Sequence, residues 1–204
     1  MKKTIAALVG ATVVLAANAA SAGVLTNVSV SLSDSRVSRP TDVTIRYTTA
    51  TTLDAPSLRR NLLIATFGGL AMTDGDCGAD VTFTVNGAPL APAALSQCSV
   101  WGGNNVQFRL AAGASVAAGS NVEIVIDSAR VTTTATSGLY GATTFRTAMD
   151  SGAPIDTPAT QPTYFISTPP PASVPTLTEW AMILLTAALG GFAVLTIHRR
   201  RQGA

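Results

Sequence analysis

Lysine is absent from this 204-residue chain after Lys3, and histidine is absent before His198. Glutamate occurs once before Glu179, as Glu123. Without an imidazole between the ends, a Ser-His-Asp triad, a Cys-His pair and a His-ligated metal are excluded there. Without lysine, a Schiff base or a lysine base is excluded as well. A single Glu leaves a glycosidase to rely mainly on Asp. No glycine-rich nucleotide loop leads into a helix. The central part of the chain is therefore expected not to be an enzyme.

Positive charge is also scarce where a nucleic-acid partner would need it. Between Gly23 and Glu179 eight Arg face eleven Asp or Glu, so that part is mildly acidic. The formal net charge of +2 comes from Lys2, Lys3, Arg199, Arg200 and Arg201 at the two ends. No basic face for nucleic acid is expected.

What is present begins with a leader at residues 1–22. Lys2 and Lys3 form a positive start, Ile5 to Ala17 an apolar stretch, and Ala20-Ser21-Ala22 a small-x-small site. That order predicts a signal peptide cut before Gly23 by signal peptidase. The exported part then holds the two cysteines of the chain, Cys77 and Cys98. In an oxidising compartment such a pair is expected to form a disulfide. Closing a loop of that length is worth about 3 kcal/mol in the chain-entropy account.

From Gly23 to Ser167 the pattern is period-two alternation broken by Gly, Pro, Asn and Asp. "VLTNVSVSLS" places Val28, Val30 and Leu32 on one face, and "DVTIRYT" does the same with Val43, Ile45 and Tyr47. "NLLIATF", "VTFTV", "NVQFRLA", "NVEIVI", "LYGATTFRT" and "PTYFIS" read as further short strands. Asn86-Gly87 directly after "VTFTV" marks a hairpin. The expected fold of residues 23–167 is an all-β, antiparallel, immunoglobulin-like β-sandwich. Seven of the eleven prolines then fall between Pro154 and Pro175, and residues 168–173 read as a semi-rigid proline-rich spacer.

The run from Trp180 to Ile197 has 18 residues and no charge. As a helix it would extend about 27 Å, close to the thickness of a bilayer's hydrocarbon core. Residues 180–197 are therefore expected to span a membrane once. Trp180 takes an interfacial position, and Arg199, Arg200 and Arg201 act as the cytoplasmic stop-transfer cluster. Ala187 and Gly191, four apart, form a stripe of small residues within it.

The whole tail, "VPTLTEWAMILLTAALGGFAVLTIHRRRQ", resembles the IPTL-CTERM protein-sorting domain, a relative of the PEP-CTERM tail. The matching pieces are Val174, Pro175, Thr176 and Leu177, the pair Glu179 and Trp180, the apolar span and the closing arginines. Val174 stands where the family usually has Ile, and Ala181 where Gly is common. The resemblance implies export in a Gram-negative bacterium and a pause in the inner membrane. It further implies recognition by an exosortase of the H type, a multi-pass membrane transpeptidase with a Cys/His/Arg active site. Val174 to Leu177 and Trp180 are then the recognition residues of residues 174–202. Pro175 keeps its segment extended and outside the helix, where a protease can reach the backbone.

Three stretches of the exported part are candidate sites. "DGDCGAD" spaces Asp74, Asp76 and Asp80 so that their oxygens could meet Ca²⁺, although the loop fails the EF-hand pattern. "WGGNN" offers Trp101 for stacking on a sugar. "DSGA" at Asp150 to Ala153 matches the signature around an aspartic-protease carboxylate, but only one copy exists and two are needed. The segment from Asn105 to Thr147 also looks like secreted β-sandwich modules of structural role. The leading expectation is an exported, membrane-tethered precursor bound for the cell surface or extracellular matrix, with no cofactor. A carbohydrate- or calcium-binding adhesin module, with exopolysaccharide as partner, is the alternative.

Overall fold

The computed structural model describes residues 23–54, 58, 60–169 and 177–202. The leader at 1–22, residues 170–173 of the spacer, and Val174, Pro175 and Thr176 lie outside the described residues. The chain divides into two compact units between Thr168 and Pro169.

The first unit is all-β. Its strands are β1 (Gly23–Leu32), β2 (Val43–Thr48), β3 (Leu53–Asp54), β4 (Asn61–Phe67), β5 (Leu70–Met72) and β6 (Gly75–Asp76). Next come β7 (Val81–Val85), β8 (Ala88–Pro89), β9 (Leu95–Trp101), β10 (Asn105–Leu110) and β11 (Ser115–Val116). The series ends with β12 (Asn121–Ile126), β13 (Val131–Thr133), β14 (Gly138–Ala148), β15 (Pro154–Pro158) and β16 (Thr163–Ile166). Every expected strand is present. Asn86 (φ 53°) and Gly87 (φ 79°) make the hairpin turn between β7 and β8, as both positions of a type I′ turn require.

Twelve strands join in one continuous ladder, in the order β6-β9-β10-β4-β14-β15-β1-β2-β12-β7-β8 with β16 added on β14, and β11-β3 and β13-β5 form two separate pairs. The ladder curls so that two limbs face each other across one core. Phe83 of β7 meets Phe108 of β10 edge to face, with ring centroids 5.0 Å apart. Tyr47 of β2 meets Phe145 of β14 in the same manner at 5.7 Å. Alternation places these rings: β10 buries Val106, Phe108 and Leu110 and turns Asn105, Gln107 and Arg109 outward.

The curl depends on β1. Gly23–Leu25 pairs parallel to β15, whereas Thr26–Leu32 pairs antiparallel to β2, with the register shifting between Thr26 and Ser29. Asn27 sits in that bulge at φ 52°. The bulge changes which parity points inward, so Leu25 and Val30 are both buried. The sequence pattern predicts one uninterrupted face for this strand, and the ladder instead passes it from one limb to the other. One parallel pair thus interrupts the expected antiparallel order.

A second bulge, in β4, removes Leu62 from the ladder: Phe108 pairs with Leu63 and Arg109 with Asn61. Tyr47 Oη donates a 2.5 Å hydrogen bond to the Leu62 carbonyl from the opposite limb. Burial, and secondly the charge of Asp156, push the Tyr47 hydroxyl well above its usual pKa, which keeps it a donor. The substitution Tyr47→Phe deletes this bond and leaves a buried carbonyl without its donor. Chemical denaturation should show a loss of about 1–3 kcal/mol with the fold retained. An unchanged midpoint would mean the bond contributes nothing across the core.

The second unit is one helix, α1 (Leu177–Gln202), described for its side chains at 181–192 and 198. Met182, Ile183, Leu184, Leu185, Leu189 and Phe192 are all exposed. Among the described residues no helix is long and apolar enough to cross a membrane. The uncharged run at 180–197 extends beyond the described side chains at both ends.

Candidate functional site

The two ends of the curled ladder, β6–β9 and β7–β8, do not pair with each other. Between them lies a cavity of about 530 Å³. Its walls include Val81, Phe83, Leu90, Leu95 and the Cys77–Cys98 disulfide. The bridge is the one expected, with Cα atoms 5.2 Å apart, and the Cys77 amide also donates to the Cys98 carbonyl at 2.9 Å. The cleft is mainly apolar, and Asp76, Thr82, Ser96 and Gln97 also line it.

The aspartates of "DGDCGAD" stand beside this cleft with separate tasks. The Asp74 carboxylate accepts the amides of Gly102 (3.2 Å) and Gly103 (2.9 Å), clamping the turn after β9. Asp80 pairs with Arg130 at 3.3 Å. The same guanidinium donates to the Asp76 carbonyl (2.9 Å) and the Gly75 carbonyl (3.4 Å). Sequence reading missed Arg130, which lies some fifty residues away and follows no motif. Among the described residues no three of His, Cys, Asp and Glu come together as a metal group. The structure does not assemble Asp74, Asp76 and Asp80 into one.

Trp101 ends β9 with 42% of its surface exposed. It is paired across the ladder with Asn105, whose Nδ2 donates to the Trp101 carbonyl at 3.1 Å. Thr66 Oγ1 donates to Asn105 Oδ1 at 2.6 Å. The indole therefore sits at the end of an outward-facing polar row. On the other limb a shallow concavity of about 490 Å³ is lined by Asn27, Thr48, Asn121 and the ion pair Arg46–Glu123, 2.5 Å apart.

Asp150, from the protease-like "DSGA", is held by two guanidiniums. Arg60 pairs with it, its Nε lying 2.9 Å from Oδ2. Arg109 approaches from β10, with Nη2 2.6 Å from Oδ2. Hydrogen bonds from Arg60 and then Arg109 lower the carboxyl to a pKa of about 2. Such a group stays ionised and cannot act as the protonated member of a catalytic carboxylate pair. The arrangement ties the end of β14 to β10 and to the start of β4.

Of the tail residues, Leu177 opens α1, Trp180 lies in its first turn, and Arg199 to Arg201 lie near its end. His198 is also in this helix, so the sole imidazole belongs to the second unit.

Asp150 makes a pH prediction. Its pKa lies below the usual value near 3.9 for an unfolded carboxyl, so its stabilisation is present above about pH 4 and is lost as pH falls towards 2. Asp34, held at about 2 by Arg36, acts in the same range. Asp150→Asn should lower the melting temperature by a few degrees at pH 7 and flatten the acid limb between pH 4 and 2. An acid limb identical to that of the parent would show that the double Arg pair is energetically silent.

Residues 172–202 match the IPTL-CTERM motif. No curated protein matches the chain. Among solved structures the chain is similar to BslA, a bacterial hydrophobin, at 16% identity and a TM-score of 0.39, covering 71% of this chain and 98% of that one. It is also similar to AvmM, which catalyses macrocyclization in alchivemycin A biosynthesis. That match has 11% identity and a TM-score of 0.29, over 73% of this chain and 93% of the other.

Proposed function

From a C-terminus that carries an IPTL-CTERM sorting motif, we propose that this protein is an exported precursor held at the inner membrane and processed by an exosortase-type transpeptidase. The motif is the observation that carries the reading. The helix agrees with it, since its described side chains are almost all apolar and exposed around the full circumference. A helix apolar on every side needs either a protein core or a bilayer around it. The uncharged run of 18 residues supplies about 27 Å, and the arginines after it resist translocation.

In this reading signal peptidase removes residues 1–22, and the β-domain, as an immunoglobulin-like module, is released into the periplasm. Residues 180–197 park in the inner membrane. An exosortase of the H type then reads Val174 to Leu177 and Trp180 and cuts near them, and the domain passes to the cell surface or extracellular matrix. The domain itself performs no catalysis. Support comes from the lack of His and Lys along its length and from the arginine-bound state of Asp150.

A test follows from the tail. Mass spectrometry of mature protein from the native host should find the peptide "AMILLTAALGGFAVL" missing. Pro175→Ala and Trp180→Ala should each cut the mature form at least tenfold while uncleaved precursor accumulates in the membrane. Mature protein that retains the peptide would reduce the tail to a plain anchor.

Exposed Trp101 beside Asn105 favours one second reading, contact with a polysaccharide of the matrix. A glycan array should then show selective binding that Trp101→Ala weakens at least tenfold. An array without selective binding leaves the inert module.

A further inference from the structure

Among the described residues, Asp156 is the one Asp, Glu, Arg or His that is buried from solvent. Its carboxylate receives Thr51 Oγ1 at 2.6 Å and the amides of Thr51 and Ala50 at 3.0 and 3.3 Å. All three donors are neutral. No arginine among the described residues pairs with it. A buried carboxylate with only neutral donors lacks the opposite charge that normally accompanies burial.

Gly23 stands opposite it. β1 and β15 run parallel here with Gly23 and Asp156 in register. A β-carbon on Gly23 would overlap Asp156 Oδ1 and lie 2.7 Å from the Ala50 Cβ and 3.1 Å from Thr51 Oγ1. The glycine is therefore required by the closeness of the carboxylate. Standard covalent geometry then places the Gly23 nitrogen within about 5 Å of Oδ1. Opposite charges interact strongly at that range. Gly23 is also the first residue after Ala20-Ser21-Ala22.

We propose that Gly23 is the N-terminus of the mature protein and that its α-ammonium is the counter-charge of buried Asp156. The proposal rests on the leader reading given above. In the cut, water adds across the Ala22–Gly23 amide. Its oxygen joins the Ala22 carbonyl carbon as a carboxylate, the C–N bond breaks, and the protons released by water end on the Gly23 nitrogen. That nitrogen is a neutral amide before the cut and an ammonium at neutral pH afterwards. The uncut chain therefore carries Asp156 uncompensated, and removal of the leader supplies the missing charge where β1 joins the two limbs. Leader removal and completion of the β-domain become one event. The partner is the protease that makes this cut.

The mature chain contains no lysine, so its α-amine is its sole primary amine. The full-length protein, exported by a Gram-negative host and purified in detergent, can be treated with an amine-acetylating reagent, native and unfolded, at one pH. The expected outcome is a peptide beginning at Gly23, acetylated at least tenfold more slowly in the native protein. Asp156→Asn should abolish that protection and lower the melting temperature. If that variant does not fold, one Val inserted between Ala22 and Gly23, which leaves no new small-x-small site, moves the ammonium away and should expose it to the reagent. A mature chain that starts elsewhere overturns the proposal together with the leader reading. A start at Gly23 with native acetylation as fast as in the unfolded chain, or protection that persists in the insertion variant, overturns the ion pair and leaves the leader reading standing.

Discussion

β1 pairs with β15 over its first three residues and with β2 over the rest, and the change of side at Asn27 makes one ladder out of two limbs. The aromatic contacts depend on that change. Phe83 reaches Phe108, and Tyr47 reaches Phe145, only because the limbs are turned towards each other. Tyr47 then does double duty, filling the core with its ring and spending its hydroxyl on the carbonyl that the β4 bulge sets loose. Asp156 lies where these constraints meet, joined to residues 50–51 and to Thr147 of β14. Its carboxylate ties β15 to residues 50–51, and its backbone amide donates to Thr147 of the neighbouring β14.

Much of the fold could be read from residue types, and the failures have a common cause. Strict alternation marked β2, β7, β10 and β12, where no irregularity disturbs the pleat. The Asn-Gly pair marked its hairpin because only that kind of residue accepts two positive φ angles in succession. The bulges at Asn27 and Leu62 left no comparable trace, since a bulge is defined only by how a strand pairs with its neighbour. β15 was unreadable for a different reason. Its prolines argue against a strand, yet Pro154 and Pro158 stand at its two ends, where missing amides cost the ladder least.

The candidate sites divide in the same way. The disulfide was legible because two cysteines in an exported chain leave one pairing. The role of the Asp loop was not, because the partners of Asp74 and Asp80 come from Gly102, Gly103 and Arg130 on other elements. Asp150 looked like a fragment of a catalytic signature and is a structural anion between Arg60 and Arg109. The tail remained the clearest feature, since its information lies in the order of proline, tryptophan, apolar run and arginines rather than in tertiary contacts.

The ladder ends in two very short strands, Gly75–Asp76 on one lip of the cleft and Ala88–Pro89 on the other. Both are exposed, and the second carries a proline that has no amide to offer. Neither terminal strand therefore offers a long row of backbone amides and carbonyls on which another chain could extend this sheet.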